Sequence, residues 1–206
     1  MARWPTKKLL LLKIPITSHS VVRLVVRPRW HASSTLSSSV LVHPQPLTSH
    51  DTTLTQIQAT GTLGTSILSA LRAANFNITV LTRSGSTSCS KVPESTRVIT
   101  ADYASHESLV SAFKGADAVV SALGRLVIPA QKPLIDAAVD AGVQRFIPSE
   151  YGGDTFDEKV RVMPGLQQKA IILDHLAKLA EDGKIEWTAI MTGPFLDWGQ
   201  YSPAFY

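Results

Sequence analysis

Residues 58–71 read QATGTLGTSILSAL, a short turn with two glycines that runs directly into a segment of helical spacing. The apolar residues of this segment predict a helix that begins at about Gly64. Glycine lets the backbone approach a ligand closely, and the free N–H groups at a helix N-terminus attract phosphate. An ordinary strand-to-helix loop is the alternative. The candidate phosphate-binding residues are Gly61, Thr62, Leu63 and Gly64.

Strand-like and helix-like segments alternate along the rest of the chain. Apolar and β-branched runs predict strands over residues 53–59, 78–82, 97–100, 118–124, 143–149 and 185–191. Helices are predicted from about residue 64, over 105–113 and 133–141, and from 164 to 183. This alternation predicts an α/β fold, a doubly wound parallel sheet of the Rossmann type. The first strand, TLTQIQA, is unusually polar for a central parallel strand.

The carboxyl ends of such strands form the edge where ligands bind. Arg83 follows the second predicted strand, at the point where a dinucleotide fold meets the adenosine ribose. An arginine there favours the 2′-phosphate of NADP, because its planar guanidinium binds two oxygens at once. A solvated surface arginine is the alternative. Further candidate cofactor-binding residues at this edge are Ser121, Ala122, Leu123, Gly124 and Ser149.

The positive charge of the chain is concentrated at its N-terminus. The formal net charge is +4, yet residues 1–50 contain no Asp or Glu and the remainder is acidic on balance. We expect residues 1–52 to be a basic extension, either disordered or a mitochondrial transit peptide, and residues 53–206 to be the NAD(P)-binding domain. A wrongly assigned gene start is a third explanation of the extension. We expect a cytoplasmic protein, or a mitochondrial one if the extension is a transit peptide.

Several other classes of site do not fit the sequence. The single cysteine, Cys89, rules out an intrachain disulfide and has no histidine nearby in the sequence. The six histidines are scattered without the spacing of metal ligands, so we expect no metal site. The excess of basic over acidic residues lies outside the predicted domain, and no apolar run approaches the length of a membrane span. We therefore expect a small-molecule partner rather than nucleic acid or membrane, while the oligomeric state stays open.

Four stretches together resemble one protein family. They are ATGTLG at 59–64, LTR at 81–83, IDAAVDAGVQRFIPSEYG at 135–152 and WTAIMTGPFLDWG at 187–199. These motifs are similar to those of the NmrA-like and isoflavone reductase-like family, an atypical branch of the short-chain dehydrogenases. The last stretch resembles the fungal members in particular. The resemblance covers about residues 57–206.

The resemblance implies an activity and a catalytic residue. Members of this family bind NADPH on a Rossmann domain, and the enzymes among them transfer hydride to a small, often aromatic, substrate. The catalytic lysine of the family follows the Pro-Ser-Glu-Tyr/Phe-Gly stretch, and Lys169 matches that position best. The Tyr-x-x-x-Lys pair of ordinary short-chain dehydrogenases is absent, because Thr155 stands four residues after Tyr151. A non-catalytic NADP-sensing regulator is the alternative that the family also contains.

Two departures from the family pattern bear on activity. The phosphate loop of the family reads Gly-x-x-Gly-x-x-Gly, and Gln58 replaces its first glycine. A side chain at this tight turn is expected to strain the loop or crowd the diphosphate. The family also continues beyond the point that corresponds to Tyr206, with a region that supplies most of the substrate pocket. An inactive fragment, with its substrate domain largely missing, is therefore a third possibility.

Overall fold

The computed structural model describes residues 23–27, 52–86, 92–193 and 195. Cys89, residues 196–206 and most of the basic extension lie outside these described residues. Within them the strands are β1 (Arg23–Arg27), β2 (Thr53–Ile57), β3 (Asn77–Arg83), β4 (Arg97–Ala101), β5 (Ala118–Ser121), β6 (Arg145–Ile147) and β7 (Glu186–Met191). The helices are α1 (Thr62–Ala73), α2 (His106–Phe113), α3 (Gln131–Asp140), α4 (Glu158–Arg161) and α5 (Gln167–Glu181). A 3₁₀ helix, Arg125–Ala130, precedes α3.

The strands form one sheet in the order β1-β7-β6-β5-β2-β3-β4. Strands β2 to β7 are all parallel to one another, which confirms the predicted doubly wound sheet. Strand β1 adds an antiparallel edge next to β7. No strand was predicted for that part of the basic extension.

Helices cover both faces of the sheet. The chain runs from β2 through α1 to β3 in one direction and later from β4 through α2 to β5 in the other. Right-handed crossovers therefore put α1 on one face and α2, α3 and α5 on the opposite face. The core is divided accordingly. The larger cluster contains Phe113, Phe146 and Trp187, and the smaller one joins Leu68 of α1 to Val80 and Val92.

The strand order reverses between β2 and β5. Ile57 at the end of β2 lies level with Leu81 on one side and with Ser121 on the other. The loops that follow β2 and β5 therefore emerge side by side on the carboxyl edge of the sheet. In open α/β sheets this reversal point is where ligands bind.

The polar first strand has a structural explanation. Gln56 is fully buried in the middle of the sheet, and its Nε2 donates a hydrogen bond of 2.7 Å to the carbonyl oxygen of Gly64. The amide thus ties the central strand to the first turn of α1, a task that an apolar side chain could not perform. The strand ends at Ile57, two residues earlier than predicted, because Gln58 leaves the extended conformation.

Candidate functional site

The turn between β2 and α1 is built around Gln58. This residue adopts φ of +57°, the left-handed region that non-glycine residues rarely occupy. Its carbonyl oxygen lies so near α1 that a Cβ atom at Gly64 would approach it closer than 3.0 Å. Glycine is thus sterically required at position 64. At Gly61 an added Cβ would meet only ordinary contacts with the Gln58 side chain, so the small size of Gly61 leaves space on the outer side of the turn.

The start of α1 has the properties of an anion site. The N-cap residue, Gly61, offers no side-chain hydrogen bond, and the first turn contains no acidic residue. The N–H groups of Thr62, Leu63 and Gly64 are therefore not capped by a side chain, and the positive end of the helix dipole is not compensated. The four residues predicted to bind phosphate thus lie together at a helix N-terminus.

Gln58 is the part of this turn that fits a diphosphate least well. Its left-handed backbone costs a non-glycine residue about 1–2 kcal/mol. Its side chain also lies beside Gly61, with Cγ 3.7 Å and Nε2 3.9 Å from the point that a Cβ there would occupy. The side chain thus lies against the glycine whose small size the motif provides for a ligand.

Arg83 stands exposed at the end of β3, as predicted. Among the described residues it has no acidic partner, and a turn through Ser84 and Gly85 follows it, with Ser86 N–H donating to its carbonyl. Beneath it, Tyr103 donates a hydrogen bond to the carbonyl oxygen of Leu81. Burial raises the pKa of Tyr103 to about 12, although the Arg83 charge lowers it in part. Within the described residues no acid neutralises the guanidinium, and the hydroxyl of the neighbouring Tyr103 stays neutral.

Ser121 and Ser149 lie beneath the edge rather than on it. Both are buried, and Ser149 Oγ donates to Ser121 Oγ at 2.9 Å and accepts from Leu123 N–H at 2.7 Å. The N–H of Ser149 in turn donates to the buried Oε1 of Gln131. This network joins the ends of β5 and β6 and fixes the loop through Ala122 and Gly124. Direct contact of these serines with a cofactor stays a prediction.

Lys169 is placed at the same edge by the first turn of α5. Its side chain is only 9% exposed, and Nζ donates a hydrogen bond to the main-chain oxygen of Glu150, just beyond the end of β6. Burial lowers the pKa of Lys169, an effect that the charge of Glu150 opposes. The prediction that Lys169 is catalytic stays a prediction, but the structure places the amine beside the carboxyl ends of the strands.

The sequence analysis missed Glu150 as part of this site. The side chain is fully buried, and Thr155 donates a hydrogen bond of 2.7 Å to its Oε2. Burial raises the pKa of Glu150, while the Thr155 hydrogen bond and the Lys169 charge lower it. The signal that could have drawn attention to it was an acidic residue shortly after the end of a parallel strand, at the edge where ligands bind.

The two histidines that the structure describes, His106 and His175, lie apart from this edge. His106 on α2 pairs with Asp140 on α3 at 2.8 Å, and His175 on α5 pairs with Asp136 on α3 at 2.6 Å. In the part of the chain that the structure describes, no three His, Cys, Asp or Glu side chains come together as metal ligands. None of the described helices is long and apolar enough to cross a bilayer.

Comparison with known proteins agrees with this geometry. The model of the NmrA-like family matches residues 50–196. The oxidoreductase aprR of Aspergillus flavus is 43% identical over 145 residues, which cover 68% of this chain and 48% of that protein. The isoflavone reductase of Glycine max is 38% identical over 92 residues, covering 38% of this chain and 29% of that enzyme.

A solved structure gives the same result at the level of the fold. The structure of AtPrR2 with NADP+ and (+)pinoresinol superposes with a TM-score of 0.57 and 31% identity, covering 64% of this chain and 47% of that one. This chain therefore spans about half the length, or less, of these relatives. The resemblance drawn from the four sequence motifs is confirmed.

Proposed function

Because this chain belongs to the NmrA-like family of isoflavone reductase-like oxidoreductases, we propose that it carries the NADPH-binding part of such an enzyme. The substrate in this proposal is a small, aromatic molecule that is reduced beside Lys169. One observation carries the proposal, namely that three groups lie at one edge of the sheet. They are the N-terminus of α1, Arg83, which has no acidic partner among the described residues, and the buried Lys169 amine.

The residues at this edge suit NADPH better than NADH. The start of α1 accepts a diphosphate, since no acidic side chain opposes one there. Arg83 stands where the adenosine 2′-phosphate would lie, and a carboxylate, which would prefer the ribose hydroxyl of NAD, is absent from that position. Gln58 fits less well, and we expect it to weaken binding rather than to change the preference.

Lys169 has the properties of a proton donor. NADPH, when bound, supplies a hydride, so the reduced substrate must also gain a proton on a neighbouring oxygen or carbon. The Lys169 ammonium can give that proton and recover it from solvent, because burial brings its pKa closer to neutral pH. Its hydrogen bond to the main-chain oxygen of Glu150 holds the amine in place during the transfer.

An exposed apolar surface next to this edge supports an aromatic substrate. Leu126 and Val127, on the 3₁₀ helix after β5, are 89% and 46% exposed. Val162 and Met163 precede α5 and are 64% and 51% exposed. The side chain of Arg125 lies against Gly165, which brings the two segments together. Exposed apolar patches of this kind mark places where a ligand or another protein segment packs, so they are suited to an aromatic molecule.

An NADP-sensing regulator is the competing function. Such a protein needs the dinucleotide site but no proton-transfer group. The burial of Lys169, which is costly for an amine without a task, favours the enzyme. The two functions differ in one respect, since a sensor binds both cofactor forms without turnover.

The test compares the wild type with Lys169→Met. NADPH binding is followed by cofactor fluorescence, and NADPH oxidation is then measured with a panel of aromatic ketones and enones. We expect equal NADPH affinity for both proteins and at least a hundredfold slower oxidation by the variant, on the order of one general acid–base contribution. Binding without oxidation by either protein would favour the sensor, and absence of binding by folded protein would contradict both functions.

A further inference from the structure

Glu150 is a buried carboxylate that the proposed reaction does not yet use. It is 0% exposed and follows the end of β6 in the Pro-Ser-Glu-Tyr-Gly stretch. Thr155 donates to Oε2 at 2.7 Å, whereas Oε1 has no hydrogen-bond partner among the described residues. Burying an ionisable group with one oxygen unsatisfied is expensive, so the residue needs an explanation.

The main chain of Glu150 fixes the position of the Lys169 amine. Its carbonyl oxygen accepts the Nζ hydrogen bond. Gly152 lies next to both of these atoms, since a Cβ there would lie 3.4 Å from Nζ and 3.3 Å from the same carbonyl oxygen. The amine is therefore held by two residues of one segment, one of which carries the buried Glu150 carboxylate.

The carboxylate of Glu150 is the charge that acts on this amine. Glu150 and Lys169 influence each other electrostatically, and in the described part of the chain no other charged group has a comparable effect on either. Tyr151, which is next in sequence, is buried and its pKa is raised by burial, so its hydroxyl stays neutral.

We infer that Glu150 is a positioning residue for Lys169: its main-chain oxygen holds the amine and its carboxylate keeps the amine in the ammonium form. Thr155 contributes to the same arrangement, because the hydrogen bond from its hydroxyl to Glu150 Oε2 favours the ionised carboxylate. Burial lowers the pKa of Lys169, and a neighbouring negative charge opposes that shift. The lysine then enters the reaction as an acid rather than as a free amine.

The role in proton donation rests on the proposed function, but the coupling can be measured without cofactor or substrate. The full chain is prepared with ¹³C-labelled lysine, and the Cε resonance of Lys169 is identified by its loss in Lys169→Met. Its pH titration is then recorded for the wild type, for Glu150→Gln and for Thr155→Val. Glu158→Gln is the matched control, because Glu158 is an exposed acid at the start of α4.

We expect the Lys169 midpoint to fall by about one to two pH units in Glu150→Gln, which corresponds to the loss of a close opposite charge. Thr155→Val shifts it in the same direction by less, and Glu158→Gln leaves it in place. An unchanged midpoint in folded Glu150→Gln would overturn the inference. If that variant does not fold, Thr155→Val decides: a lower midpoint supports the inference and an unchanged one overturns it.

The result is independent of the proposed function. Failure of the chain to bind NADPH would leave the titration unaffected, whereas an unchanged Lys169 midpoint would leave NADPH binding unaffected. A second readout is the pH dependence of NADPH oxidation. As the pH is raised, the rate should begin to fall at a lower pH in Glu150→Gln than in the wild type, while the KM for NADPH stays the same. A purely structural role of Glu150 would change neither midpoint.

Discussion

A Cβ atom at Gly64 would lie closer than 3.0 Å to the carbonyl oxygen of Gln58. The backbone of the turn and the first turn of α1 are in direct contact at this point. The left-handed conformation of Gln58 and the absence of a side chain at position 64 are therefore two parts of one tight turn.

Gly64→Ala should destabilise the fold. The added methyl group meets backbone rather than a flexible side chain, so the helix must move away from the strand. We expect a loss of about 1–3 kcal/mol in the free energy of unfolding, measured by urea denaturation. Gly124→Ala is the matched control, because a Cβ at Gly124 meets nothing within 4 Å. Equal stability of the two variants would contradict the proposed steric conflict.

Gln58→Gly should tighten NADPH binding. The substitution removes the side chain beside Gly61 and relieves the left-handed strain, worth about 1–2 kcal/mol before the higher chain entropy of glycine is subtracted. Asn75→Gly is the matched control, since Asn75 has φ of +59° at the far end of α1. Both variants should change stability similarly, but only Gln58→Gly should lower the Kd for NADPH. Equal Kd values in all three proteins would show that Gln58 does not obstruct the site.

Arg83→Ala should remove the preference for NADPH over NADH. A charge-assisted bond to phosphate contributes about 1.5–3 kcal/mol, so we expect roughly a tenfold to hundredfold weaker NADPH affinity and little change for NADH. Arg97→Ala is the matched control. It makes the same change in net charge, but Arg97 begins β4 and so lies at the edge of the sheet opposite to Arg83. A similar loss for both variants would mean that the effect is one of overall charge.

The stability of the wild type should rise with pH between the lowered pKa that Lys169 has in the folded state and 10.5, the ordinary pKa of lysine. Burial lowers the pKa of Lys169 in the folded state, so within this range the unfolded chain binds a proton that the folded chain has released. Stability then increases with pH, because the unfolded state holds more protons. Lys169→Met should lack this part of the increase. Parallel stability profiles for the two proteins, measured by urea denaturation at several pH values, would contradict the burial effect.

The order of elements could be predicted from the sequence, but the tertiary contacts could not. The alternation of strand-like and helix-like segments was enough to predict the parallel sheet, because each βαβ unit has a recognisable hydropathy pattern of its own. Gln56 was interpreted only as a weakness of the first strand. Its hydrogen bond to the Gly64 carbonyl forms only when α1 packs against the strand, and the hydropathy pattern does not show how that helix packs.

The candidate site was predicted as a set of positions rather than as a network. Arg83 was identified because strand ends in parallel sheets share an edge. Ser149 was assigned to that edge too, but whether its hydroxyl points outward or toward Ser121 depends on packing. The pairing of Lys169 with Glu150 spans 19 residues and two elements, so no local pattern predicts it.

The measurement that tests the account most directly is a fluorescence titration of the purified wild-type chain with NADPH and with NADH. We predict saturable binding of NADPH and much weaker binding of NADH, because in the proposed site the start of α1 binds the diphosphate and Arg83 binds the 2′-phosphate. Absence of NADPH binding by a chain that is folded by circular dichroism, or equal affinity for the two cofactors, would contradict the assignment of this edge as an NADPH site.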